Sequence, residues 1–241
     1  MIARLAVSTK GLVKRYGKRR ALDGFTLDVP AGCVLGLVGP NGAGKTTWMM
    51  AVAGLLRLDA GEIGLFGTGR AFGAAEHSGR LALLPQDSEL PLESTAEGFL
   101  FGLARLQGLS PTAAHASVAA VLEAVNLADR AKASVRSLSH GMRKRLMAAQ
   151  CFLGEPELVL LDEPMNGLDP EEAARFRRLI LSRAERSTVV ISSHNLADLE
   201  KLCTHIAFVR DGKVAKVAPL KELTAEGGSL EDAYLGCDWR T

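Results

Sequence analysis

Short apolar runs and longer amphipathic stretches alternate along this chain. In the segment from Ala3 to Val29, Leu5-Ala6-Val7-Ser8 and Phe25-Thr26-Leu27-Asp28-Val29 read as short strands, with a basic turn from Lys14 to Arg20 between them. Pro30-Ala31-Gly32 breaks the pattern. Cys33 to Val38 is then a continuous apolar run, which marks a strand buried on both faces. A Gly-rich turn follows, and Lys45 to Leu56 reads as a helix. Further strands are expected at Glu62–Phe66 and Leu81–Leu84.

From about Asp87 to Gly154 the texture becomes helical. Ser110-Pro111 supplies an N-cap and a proline at the first helical position, and Ala113 to Val125 has high helix propensity. Strand and helix then alternate again: Leu158–Leu161, Glu171–Arg186, Thr188–Ser192 and Leu196–Cys203. Ile206 to Val217 turns at Asp211-Gly212, a hairpin dipeptide. Strands alternating with helices predict an α/β fold with a mostly parallel sheet, and the central helical block reads as an inserted subdomain.

Composition narrows the function classes. The 241 residues are 47% hydrophobic and 23% charged, as in a folded globular protein. A net charge of +2 gives no electrostatic case for a dedicated nucleic-acid binder. Cys33, Cys151, Cys203 and Cys237 are far apart, which argues against a disulfide framework or a zinc site and fits a reducing cytosol. No apolar run reaches the roughly 18 residues of a membrane span. Met1 to Lys10 has no long apolar stretch, so no signal peptide is expected.

The chemistry sits in two motifs. Gly39-Pro40-Asn41-Gly42-Ala43-Gly44-Lys45-Thr46 fits the phosphate-loop pattern in full, with a buried strand before it and a helix after it. Its glycines let backbone N–H groups converge on phosphate oxygens, and the helix N-terminus adds partial positive charge. Lys45 is placed to reach β- and γ-phosphates, and the Thr46 hydroxyl to ligate Mg²⁺. The second motif, Leu158 to Glu163, delivers two carboxylates to the carboxyl end of a strand, where α/β proteins bind ligands. Asp162 is expected in the Mg²⁺ shell and Glu163 as the general base that polarises water.

With these residues in order, the chain resembles an ABC-type ATPase, the nucleotide-binding subunit of a transporter. The resemblance rests on Tyr16, Gly39 through Thr47, Gln86, Leu138-Ser139-His140-Gly141-Met142, Leu161-Asp162-Glu163-Pro164, Gly167-Leu168-Asp169 and His194, and spans nearly the whole chain. It implies a P-loop NTPase core at residues 1–86 and 157–218 with an N-terminal antiparallel β part. Residues 87–156 would form the helical signature subdomain and 219–241 a short helical tail.

The resemblance also implies ATP and Mg²⁺ as ligands, and roles for single residues. Tyr16 matches the aromatic that stacks on adenine, though its basic neighbours also suit a nucleic-acid patch or a solvated turn. Thr47 belongs with the nucleotide-binding loop. Gln86 matches a glutamine that contacts Mg²⁺ and water and links to the membrane partner, or is a turn residue after Pro85. Asp169 matches a loop that crosses a dimer interface, and Pro170 after it also fits a helix N-cap. His194 matches the histidine that senses the γ-phosphate. Ser139 and Gly141 match the signature that closes ATP from a second ATP-binding subunit. His140 and Met142 depart from the usual Leu-Ser-Gly-Gly-Gln, and Met142 cannot make the hydrogen bonds of an amide. The implied partners are separate transmembrane permease subunits, with this chain on the cytoplasmic face of the membrane. An export-type permease is expected from the short tail. The alternative is a soluble ATPase of the same fold in an assembly system such as iron–sulfur cluster assembly.

Overall fold

The computed structural model describes residues 4–69, 72, 73, 77 and 79–239. The expected strand segment beginning at Ala3, the N-terminal stretch from Met1 and the tail's Arg240 and Thr241 therefore lie partly outside the described residues.

Two sheets form. Strands β1 (Leu5–Tyr16), β2 (Arg19–Pro30), β4 (Ala60–Leu65) and β5 (Thr68–Gly69) make an antiparallel sheet in the order β2-β1-β4-β5. The second sheet contains β3 (Val34–Val38), β6 (Leu81–Leu84), β7 (Leu158–Asp162), β8 (Thr188–Ser193), β9 (His205–Arg210) and β10 (Lys213–Pro219), in the order β10-β9-β3-β8-β7-β6. Its strands are parallel except for β10, which returns antiparallel to β9. The turn between β9 and β10 is Asp211-Gly212, with φ of 50° and 75°. Positive φ at both central residues is the geometry whose twist matches the flanking strands.

Helix α1 (Lys45–Val52) lies between the two sheets. Its Trp48 and Met49 are fully buried and meet Phe25 and Leu27 of β2 on one side and Leu35, Leu37 and Leu160 on the other. The Trp48 indole N–H reaches the buried Thr9 hydroxyl at 3.3 Å. In β7 the alternation is plain: Leu158 and Leu160 face α1, while Val159 and Leu161 face the helices on the opposite side. Those include α2 (Ala96–Leu106), α3 (Pro111–Ala124), α4 (His140–Gln150), α5 (Pro170–Ala184) and α6 (Leu196–Glu200). The segments α7 (Leu220–Leu223) and α8 (Leu230–Leu235) follow, and Tyr234 and Trp239 pack on Phe208 of β9.

Local chemistry sets most boundaries. Thr95, Ser110, Ser139 and Asp169 each accept a backbone N–H in the first turn of α2, α3, α4 and α5. Several boundaries shift, among them that of α6, which ends at Glu200 rather than Cys203. Helix α1 stops at Val52 rather than Leu56, because Gly54 takes φ of 76° and donates to the Ala51 carbonyl at 2.9 Å. The basic segment narrows to a turn at Gly17-Lys18, since Lys14, Arg15, Arg19 and Arg20 join the long β1–β2 ladder. Among the described residues no helix is long and apolar enough to cross a membrane.

Candidate functional site: a phosphate loop facing two carboxylates

The loop between β3 and α1 is built against backbone. A Cβ on Gly39 would sit 2.0 Å from the Val209 carbonyl oxygen, so only glycine lets β3 leave the sheet here. Gly44, at φ of 111°, passes so close to β2 that a Cβ would lie 2.6 Å from the Ala21 carbonyl. The β9–β10 turn braces the loop from behind, where the Gly212 N–H donates to the Ala43 carbonyl at 2.9 Å. From the front, the Arg19 guanidinium donates to the Gly42 carbonyl at 2.8 Å.

Lys45 is buried, and its ammonium donates to the carbonyls of Gly39 at 2.7 Å and Pro40 at 3.2 Å. Burial pushes this ammonium below its ordinary pKa, and the Glu163 and Asp162 carboxylates push it back up. The loop thus holds a cation that faces the end of β7.

Asp162 is buried and engaged at both oxygens. The Thr46 hydroxyl donates to Oδ2 at 2.6 Å, and the Ser192 hydroxyl donates to Oδ1 at 2.5 Å. Glu163 follows with φ of 48°, and its N–H donates to the Ser192 oxygen at 2.8 Å. One Glu163 carboxylate oxygen lies 3.0 Å from Nδ1 of His194. The other, Oε1, is buried without a hydrogen-bond partner among the described residues. An unpartnered carboxylate oxygen away from bulk solvent carries a desolvation cost that a bound water relieves.

Tyr16, Arg19, Asn41, Gly42, Lys45, Thr46, Thr47, Gln86, Asp162 and Glu163 line one cleft of about 380 Å³, a size that suits a small polar ligand. Tyr16 and Gln86 stand exposed at its rim. A larger groove of about 780 Å³ lies along β4 and β5, and among the described residues its charged lining is Lys10, Arg57 and Glu62. The chemistry therefore selects the smaller cleft.

Ser139, Gly141 and Asp169 do not line that cleft. Ser139 and His140 are exposed at the start of α4, where Ser139 Oγ accepts the Met142 N–H at 3.2 Å. Gly141 faces the Glu172 side chain on α5. Asp169 accepts the Glu172 N–H at 2.9 Å and so caps α5. His194 is exposed and opens onto a neighbouring cavity shared with Asn166, Gly167 and Lys201. Arg19 and Ser192 touch the site directly, and neither belongs to a sequence motif that assigns it a role. The available signal for Ser192 was a hydroxyl at the end of the apolar run Val189-Val190-Ile191.

Comparison with known proteins agrees with this geometry. Residues 22–166 match the family described as ABC transporter. The chain is 35% identical over 234 residues to Nod factor export ATP-binding protein I of Burkholderia lata, covering 96% of this chain and 74% of that one. It is 38% identical over 236 residues to daunorubicin resistance ATP-binding protein DrrA3 of Streptomyces coeruleorubidus, covering 97% and 75%. A solved structure of an ATP-binding subunit of an ABC transporter superposes with a TM-score of 0.85 at 28% identity, over 95% of this chain and 98% of that one. A buried cation in a glycine loop, two carboxylates at the end of β7 and relatives that match nearly all of this chain lead to one conclusion: the chain belongs to the ABC transporter family, as an ATP-binding subunit with ATPase activity.

Proposed function

We propose that the chain binds ATP with Mg²⁺ in the loop cleft, hydrolyses it with Glu163 as general base, and works as half of a dimer that drives an export permease. The observation that carries the hydrolytic reading is the buried, unpartnered Oε1 of Glu163, beside the Thr46–Asp162 pair in one cleft.

Lys45 exchanges its bonds to the Gly39 and Pro40 carbonyls for the β- and γ-phosphates, and the loop N–H groups from Asn41 to Thr47 receive the remaining oxygens. Tyr16 stacks on adenine from the rim. The Thr46 hydroxyl, the Asp162 carboxylate and the Gln86 amide are hard oxygen donors of the kind Mg²⁺ prefers, and would hold it. When bound, the ion neutralises charge on the β- and γ-oxygens. Glu163 takes a proton from the attacking water as the bond from the γ-phosphorus to the ADP oxygen breaks. His194 holds the other Glu163 oxygen and from there would sense the γ-phosphate.

The exposed N-terminus of α4 does not line the loop cleft of its own chain. Ser139 and Gly141 of one copy would therefore close over ATP held by the other, with Asp169 at the seam. Because the described residues contain no membrane-crossing helix, separate transmembrane subunits would form the path, with this chain at the cytoplasmic face. Relatives named for Nod factor export and for daunorubicin resistance support export as the direction.

The permease would dock beside Gln86, on the segment leading into α2. Leu92 there is 41% exposed, whereas Leu90 and Phe99 pack partly into the helical core. Leu92→Asp is expected to abolish transport and co-purification with an integral membrane subunit, while ATP hydrolysis by the isolated chain stays within about twofold, as for surface changes generally. Retention of the integral subunit by Leu92→Asp would contradict this docking site. Capture of soluble partners alone from native membranes would contradict the transporter reading.

A further inference from the structure

We propose that Ser192 is a positioning residue for hydrolysis, which aims Glu163 and fixes the orientation of Asp162 from the strand that also carries His194. The proposal rests on Glu163 acting as the base.

Ser192 is fully buried in β8 and lies opposite Asp162 in the parallel β7–β8 ladder. A hydroxyl has one donor and two acceptor positions. Here the donor goes to Asp162 Oδ1 at 2.5 Å, and an acceptor takes the Glu163 N–H at 2.8 Å. The first bond turns the other Asp162 oxygen toward Thr46. The second supports Glu163 at φ of 48°, a left-handed conformation that a non-glycine residue keeps only when its surroundings impose it. The Glu163 carboxylate is then held from the same strand end, through His194. Glu163 is thus clamped twice, at its backbone by Ser192 and at its carboxylate by His194, and Oε1 is left as the oxygen without a protein partner.

An apolar residue would fill the space of Ser192 as its neighbours Val190 and Ile191 do. It would leave the Glu163 N–H and one Asp162 oxygen buried and unpaired. The hydroxyl is therefore needed by the carboxylates rather than by the packing of β8.

The test uses the purified chain with Ser192→Ala, Ser192→Cys and Ser192→Thr. Single-turnover hydrolysis in Ser192→Ala is expected to fall about 10–10²-fold, the scale of one or two lost buried hydrogen bonds. The dissociation constant for ATP measured without Mg²⁺ should change by less than about twofold, because Lys45 and the loop are untouched. Ser192→Thr, which keeps the hydroxyl, should recover most of the rate. The backbone amide resonance of Glu163 should shift in Ser192→Ala and not in Ser192→Thr. Added to Glu163→Gln, Ser192→Ala should cause a clearly smaller loss than in wild type, since the part of its effect that passes through Glu163 is already gone and only the part through Asp162 remains. An equal loss in both backgrounds would overturn the proposal, as would unchanged hydrolysis in Ser192→Ala. If Ser192→Ala does not fold, unchanged hydrolysis in Ser192→Cys, whose thiol is a weak donor and acceptor, overturns it equally. Wild-type hydrolysis in Glu163→Gln alone would instead remove the base assignment, so the two failures are distinct.

Discussion

Glu163→Gln is expected to lower ATP turnover by about 10²–10⁴-fold, the usual contribution of a positioned general base. Gln keeps the size of the side chain and the contact with His194 but cannot take a proton from water. The oxygen that loses its basicity is the buried Oε1, which has no protein partner to substitute for it. Binding of ATP should survive, because Lys45, the loop glycines and the Thr46–Asp162 pair do not depend on the Glu163 charge for their hydrogen bonds. The measurement is phosphate release under saturating ATP, paired with a binding isotherm. Turnover at the wild-type rate would move the base elsewhere.

Lys45→Ala should act on binding itself. The ammonium is buried and already makes two hydrogen bonds to loop carbonyls, so its position is fixed before any nucleotide arrives. Removing it deletes the cation facing the phosphates and leaves the Gly39 and Pro40 carbonyls uncapped. A hydrogen bond to a charged group contributes about 1.5–3 kcal/mol, so affinity for ATP is expected to drop about 10–10²-fold. Adenosine, which has no phosphates, should bind wild type and Lys45→Ala alike, and calorimetry with both ligands separates the two cases. Unchanged affinity for ATP would show that the loop does not receive the phosphates.

What was legible in the sequence was whatever is local. The phosphate loop is one contiguous motif, and its flanking strand and helix follow from an apolar run and a helical pattern. The caps Ser110 and Asp169 and the Asp211-Gly212 hairpin are likewise decided by a few adjacent residues. Contacts that depend on register between distant strands were not legible. Ser192 meets Asp162 and Glu163 only because β7 and β8 pair in one particular alignment. Arg19 reaches Gly42 only because β2 runs beside the loop, and no periodicity within β2 signals that. The placement of α1 between two sheets was hidden for the same reason, since its buried Trp48 and Met49 read locally as ordinary helix residues. The signature at α4 was recognisable through resemblance, but its exposed position away from the cleft of its own chain is a tertiary fact.

That position makes the shared site the central claim, and mixing two inactive chains tests it most directly. Lys45→Ala has a disabled loop and an intact signature; Ser139→Arg has an intact loop and a bulky cation where the signature must approach phosphate. Each alone should be inactive as a dimer of identical chains. In a mixed dimer, one composite site combines the loop of the Ser139→Arg chain with the signature of the Lys45→Ala chain. ATP hydrolysis should reappear on mixing, with at most one working site per dimer. If Ser139 served the loop of its own chain, no mixture would contain an intact site, and a verified mixed dimer that stays silent would contradict the account.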